Sequence, residues 1–224
     1  MDEQWRTILG TVALFAAIQS LPAQTTAVSN LGQPTASNNY LSIGYLGSSN
    51  YSRAFSFTTG ASTVAFSSVT IAMQTAVGSA SGLSFSLYSG MIGNVPSGFV
   101  ASLTGNPAPL TVGNYIYSAA TPPTLQPGLT YWLVGSASST TADTSFQLNT
   151  TYSISVDSGN LTDWQIGSGF YFNNGGSTWT ISSAYTPQFS VQYSAVPEPS
   201  TCAALAGLGA LGFTAYRRRR WTAG

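Results

Sequence analysis

The chain contains no histidine, a single cysteine and few charges, with six Lys or Arg and six Asp or Glu among 224 residues. Without an imidazole there is no ordinary base to activate a Ser or Cys nucleophile, and Cys202 has no second thiol in the chain to pair with. Between residues 24 and 195 the only basic residue is Arg53, and the only acidic ones are Asp143, Asp157 and Asp163, a formal charge of minus two. A protein that tracks a nucleic-acid backbone neutralises several phosphates with Lys or Arg, so this composition excludes nucleic acid as a partner. Glycoside hydrolysis needs two carboxylates facing each other across a sugar, and three Asp residues form few such pairs. No catalytic residue, cofactor or metal ligand is assigned on these grounds. Disorder is excluded by what is present: 12 Tyr, 11 Phe and 5 Trp are too many aromatics for a disordered polar tract. Solubility must rest on Ser, Thr, Asn, Gln and Gly, and without a disulfide the fold must close on packing.

The apolar residues between these polar ones recur with period two. Val69, Ile71 and Met73 share one face while Ser68, Thr70 and Ala72 share the other; Leu83, Phe85 and Leu87 alternate with Ser84 and Ser86. Further strands are expected at 40–46, 53–58, 99–103 and 115–117. At 130–134 both faces are apolar, with Tyr131 and Leu133 opposite Trp132 and Val134. Phe146 with Leu148, Ile154 with Val156, and Phe189 with Val191 and Tyr193 mark three more. Residues 170–172 and 178–181 flank Asn173, Asn174, Gly175 and Gly176, a hairpin signal because Asn-Gly tolerates positive φ. Residues 27–39 read as a turn-rich entry without period. Nine to eleven short strands with no helical crossover predict an all-β antiparallel β-sandwich, the jelly roll being one such arrangement.

Both ends of the chain differ from this body. Residues 8–21 are mostly apolar, preceded by Arg6 and followed by Pro22 and Ala23, the order of a secretory signal peptide over residues 1–23; an uncleaved anchor or a misplaced start is the alternative. Residues 201–216 carry no charge and no Pro, and as a helix would run roughly 24 Å, close to a bilayer core. Arg217, Arg218, Arg219 and Arg220 follow, which by the positive-inside rule keeps that end cytoplasmic and sends the body across the membrane. Ahead of them, Pro197 and Pro199 fix φ and bias their predecessors away from helix, so Val196, Pro197, Glu198 and Pro199 form an extended peptide with one charge. Such a peptide fits a protease cleft. The expected division is therefore a signal peptide at 1–23, an exported domain at 24–195, and a tail at 196–220 with motif 196–200, membrane helix 201–216 and basic stop 217–220.

Motif, short apolar segment and basic cluster occur in this order at the C-terminus and resemble the tripartite PEP-CTERM sorting signal of Gram-negative bacteria. That resemblance implies recognition of Val196, Pro197, Glu198 and Pro199 by an exosortase-like membrane protease. It further implies delivery of an inner-membrane precursor to the cell surface or extracellular matrix. A permanent anchor is the competing reading. The body is similar to the choice-of-anchor (R type) domains of exported bacterial proteins. Asn30, Leu31, Gly32 and Gln33, residues 55–60, residues 83–88, residues 125–133 and Trp164 carry this likeness, which implies surface residence and names no reaction.

Four further features of the sequence bear on chemistry. Asp157 and Asp163, with Asn160 between them, suggest calcium but lack the six to eight oxygens and the bidentate acid of a calcium loop, so an Asx/Gly turn is expected. Asn50, Asn149 and Asn160 begin glycosylation-type tripeptides that a chain so rich in Asn, Ser and Thr produces by chance. Arg53 is expected to shield a sheet edge. Trp164, Tyr171 and Trp179, near Asn173 and Asn174, are the candidate contacts to exopolysaccharide if the body is a carbohydrate-binding module. The leading expectation is a non-enzymatic surface or matrix protein.

Overall fold

The computed structural model describes residues 24–138, 141–157, 161, 163–175 and 178–195. In chain order the strands are β1 (Thr25–Ser29), β2 (Tyr40–Leu46), β3 (Ser49–Thr58), β4 (Val64–Met73), β5 (Leu83–Ile92), β6 (Val95–Gly105), β7 (Gly113–Ala119) and β8 (Thr124–Leu125). Then follow β9 (Thr130–Ala137), β10 (Ser145–Thr151), β11 (Gln165–Ile166), β12 (Phe170–Asn173), β13 (Thr180–Ser182), β14 (Thr186–Pro187) and β15 (Phe189–Ala195). The period-two segments fold as strands because each alternation buries one side: Val69, Ile71, Met73, Leu87 and Leu133 are fully buried.

The expected β-sandwich is not what forms. Eight strands pair in the circuit β4–β7–β6–β5–β9–β3–β2–β10, and β10 returns to β4 through Leu148 opposite Met73. The Gln74 amide donates to the Gln147 carbonyl at 2.8 Å beside that seam. This is a closed antiparallel barrel, to which β1, β8 and β11 to β15 add peripheral strands. Alternation reports only which side of a strand is buried, and that is the same in a sandwich and a barrel; closure depends on register at one seam.

Two local expectations also change. β1 forms where a turn-rich entry was read, held by antiparallel pairing of Thr25 with Tyr193 and Ser29 with Ser190. Residues 152–157 are not a strand: Ile154 is exposed, and the Asp157 amide donates to the Ser29 carbonyl at 2.7 Å, which draws this segment out of line with β10. Among the described residues no helix is long and apolar enough to cross a membrane. The expected membrane helix at 201–216 and the expected signal peptide at 1–23 lie outside the described residues.

The interior is one continuous cluster. Phe85 meets Tyr117 at 4.7 Å and Phe55 at 6.4 Å, and Phe55 meets Phe189 of β15 at 5.0 Å, so the peripheral strand adds to the same core. Burial holds the Tyr117 hydroxyl well above its usual pKa, and that hydroxyl donates to the Asn106 carbonyl at 2.9 Å. A buried phenol with an acceptor is the arrangement that avoids the cost of an unpaired polar group.

Candidate functional site

Each body carboxylate is committed to a loop. Asp143, at a φ of 54°, accepts the Gly47 amide at 2.8 Å and so holds the turn between β2 and β3. Asp163 accepts the Ala61 amide at 2.7 Å. A Cβ on Gly60 would lie 2.1 Å from Asp163 Oδ2, so a larger residue there would displace this carboxylate. Asp157 accepts from Ser29 Oγ at 2.7 Å, the Gly32 amide at 3.0 Å and Gln33 Nε2 at 3.0 Å. Asp157 and Asp163 thus hold different loops, and their carboxylates are used there; Asn160 is outside the described residues. Among the described residues no group of three or more His, Cys, Asp or Glu stands ready for a metal ion.

Burial alone raises the Asp157 pKa, but hydrogen bonds from Gly32, Ser29 and Gln33 to the charged form outweigh it, and the carboxyl sits below its ordinary value. A carboxyl depressed in the fold contributes stability fully above its unfolded pKa of about 3.9, and loses it as pH falls through the folded value. Asp157→Ala is therefore expected to lower the thermal midpoint near neutral pH, and the gap to wild type should narrow in acid. Circular dichroism melts at neutral pH and near pH 3 read this directly; equal gaps at both would show that the charge plays no part.

Arg53, expected to shield a sheet edge, is buried. The pairing of β2 with β3 ends at Gly44 opposite Tyr51, and β12 takes over beside Ser52, Arg53 and Ala54. Arg53 fills the notch between them. Its Nε donates to the Ser42 carbonyl at 2.8 Å, and its guanidinium carbon lies 4.9 Å from the Tyr51 ring and 5.3 Å from the rings of both Phe170 and Phe172. Desolvation lowers its pKa to about 10, which leaves it charged at neutral pH. The attraction of the three ring faces for the cation offsets part of that desolvation.

The three candidate glycan contacts stand in different surroundings. Trp164 is in the core, stacked on Phe57 at 5.9 Å and on Tyr193 at 6.1 Å. Trp179 is half-buried just ahead of β13. The hairpin foreseen there exists: β12 pairs with β13, and Asn173 Oδ1 accepts the Gly175 amide at 2.7 Å where Gly175 has a φ of 90°. Tyr171, also half-buried, meets a residue that was not a candidate, Trp132 of β9, edge to face at 5.2 Å.

Trp132 belongs to a row on the outside of the barrel. It is directly opposite Tyr88 of β5, which is directly opposite Phe99 of β6, and the last two rings meet edge to face at 5.7 Å. The neighbours Leu87 and Leu133 point inward and are fully buried, so Tyr88 and Trp132 point outward. An irregularity in the β5–β6 register pairs Leu87 with Ala101 and Tyr88 with Phe99, passing over Val100. This bulge brings Phe99 beside Tyr88, where 61 % of it is exposed. The sequence held a signal for the row: Tyr88 has the parity of Ser84 and Ser86, and Trp132 is on the face opposite Leu133.

The described residues therefore form an all-β barrel whose carboxylates and single cation hold its own loops and seams, with an aromatic row outside. Residues 195–220 match the family of the PEP-CTERM protein-sorting motif. A motif of that kind implies export and recognition by an exosortase-type sorting enzyme, with delivery to the cell surface or extracellular matrix. A comparison with curated proteins gives no match. The sorting residues Val196, Pro197, Glu198 and Pro199 and the basic residues Arg217, Arg218, Arg219 and Arg220 fall inside the matched span and outside the described residues.

Proposed function

We propose that this chain is a non-enzymatic protein of the bacterial cell surface or extracellular matrix, exported behind a signal peptide at residues 1–23. Its membrane protease partner reads Val196, Pro197, Glu198 and Pro199. The observation that carries this reading is the sorting-motif match at residues 195–220, which starts where the last strand ends. A structural rather than catalytic body is supported by Asp143, Asp157 and Asp163, whose carboxylates accept loop amides, and by Arg53, packed among three rings. The barrel is the part we assign to the choice-of-anchor (R type) class, on the residues that carry the likeness.

Replacing Pro197, Glu198 and Pro199 together by Ala leaves the barrel sequence untouched and removes the extended charged peptide. Full-length precursor should accumulate, while the parent chain loses its tail in cells that contain the processing enzyme and keeps it in cells that lack it. Intact mass of protein extracted from each host distinguishes these. Surface-extracted parent protein that still carries residues 201–220 in the presence of the enzyme overturns the reading. A second reading, that the body retains exopolysaccharide, is favoured by one observation, the outward aromatic row.

A further inference from the structure

We propose that the outer row formed by Phe99, Tyr88, Trp132 and Tyr171 is a binding platform for a neutral polysaccharide; the inference rests on the second reading above and gives it a site. Across the strands the first three rings stand directly opposite one another in the ladders, so they follow each other at the inter-strand spacing of about 4.8 Å. Tyr171 extends the row onto β12 through its contact with Trp132. An edge-to-face pair fixes the tilt of both rings while the edge-on ring keeps its faces clear of its partner. Aromatic side chains placed inside contribute to the core, as Phe85 and Tyr117 do; at the β5–β6 bulge Val100 packs against the core while Phe99 is carried outward and left 61 % exposed. Rings turned outward in register across successive strands, three of them half-buried and Phe99 exposed, offer a surface for a ligand to cover.

The chemistry of the surroundings selects that ligand. β5, β6, β9 and β12 contain no Asp, Glu, Lys or Arg, and the one charge on β3, Arg53, is buried. A nucleic acid or acidic polymer finds no cation here, and a protein partner finds none of the charges that fix register at an interface rim. Further along the same outward face of β5 and β9, Ser86 stands opposite Val134, and beyond them Ser84 and Ser136 lie 3.2 Å apart. The C–H face of a pyranose is weakly positive and stacks on the negative face of an aromatic ring, while its hydroxyls exchange hydrogen bonds with serine. A neutral, hydroxyl-rich, extended polymer meets both demands. The polar groups are few and the rings do the positioning, so the platform favours a sugar chain over a single small molecule.

The test uses the purified full-length chain and its retardation in native gels containing β-glucan, mannan, galactan, xylan or the neutral exopolysaccharide of the source cells, with polygalacturonate as the charged comparison. Saturable retardation by at least one neutral polymer is expected, weakened about tenfold by Trp132→Ala and by Phe99→Ala, since loss of a stacked ring is worth of order one factor of ten. Phe99→Ala, at the most exposed ring of the row, keeps the test readable should Trp132→Ala loosen the barrel. Ile116→Ala, on β7 with 60 % exposure, should bind as the parent does. Absence of retardation by every neutral polymer overturns the polysaccharide reading itself. Retardation that both ring variants leave unchanged keeps that reading and overturns this site. Preference for polygalacturonate overturns the neutral class, and a change of sedimentation coefficient in place of retardation assigns the row to contact between copies of the chain.

Discussion

Trp164→Ala is expected to destabilise the barrel by about 3–5 kcal/mol, the range for truncating a buried aromatic to alanine. Its ring lies between Phe57 at 5.9 Å and Tyr193 at 6.1 Å, and Phe57 in turn stacks on Tyr131 at 5.9 Å. One side chain therefore joins β3, β9 and β15, and removing it leaves a cavity bounded by rings that have no flexible end with which to fill it. For a domain of this size the thermal midpoint should fall by roughly 6–20 °C, measured by calorimetry. Trp132→Ala, which truncates a ring on the outside, should move it far less. A Trp164 variant that melts within a degree or two of the parent would show that the ring stack is not part of the core.

Gly135→Ala is the second large effect. Gly135 stands opposite Phe85 on one side and Arg53 on the other, and a Cβ there would lie 2.6 Å from Ile43 Cδ1 and 2.7 Å from Phe85 Cε1. Both are inward side chains of a filled barrel, so the added methyl displaces them into neighbours that are themselves packed. Overpacking of this kind costs about 1–3 kcal/mol. The mechanism has a signature beyond the size of the loss: Phe85→Leu shortens the obstructing ring, so the double variant should be more stable than the sum of the two single losses predicts. Urea unfolding of the four proteins measures that coupling. Additive losses would show that the ring is not what Gly135 makes room for.

The strands were legible wherever one side is buried along several residues, as in Val69, Ile71 and Met73, because period two is a local property. β1 was not, since Thr25 to Ser29 acquire strand character only from pairing with β15 at the far end of the chain. Closure was illegible for a related reason. Leu148 opposite Met73 is a pair of ordinary core residues, and nothing in either segment marks the other as its neighbour. The sorting tail was the most legible part because its signal is a fixed local order of motif, apolar stretch and basic cluster. The three glycan candidates, Trp164, Tyr171 and Trp179, share residue type and nearness in sequence. The row that forms takes residues 88, 99, 132 and 171 from four strands, and only ladder register brings them into line.

The pairing of β1 with β15 also sets an order in time. Asn30 and Phe189, joined by hydrogen bonds in both directions, are 159 residues apart. A chain that enters the export channel by its N-terminus delivers β1 first and its partner last, so for most of transit Ala27 and Val28 have no strand to shelter them. Contacts of such long sequence separation form late and make folding slow. The eight barrel strands are through by Thr151, but the core they share with β15 is completed only when residue 195 is through, at the moment the sorting motif behind it becomes available. Any pause or early stop in transit leaves Phe55 without Phe189 and the whole domain open to the proteases of the compartment, which makes an incompletely exported chain a short-lived one.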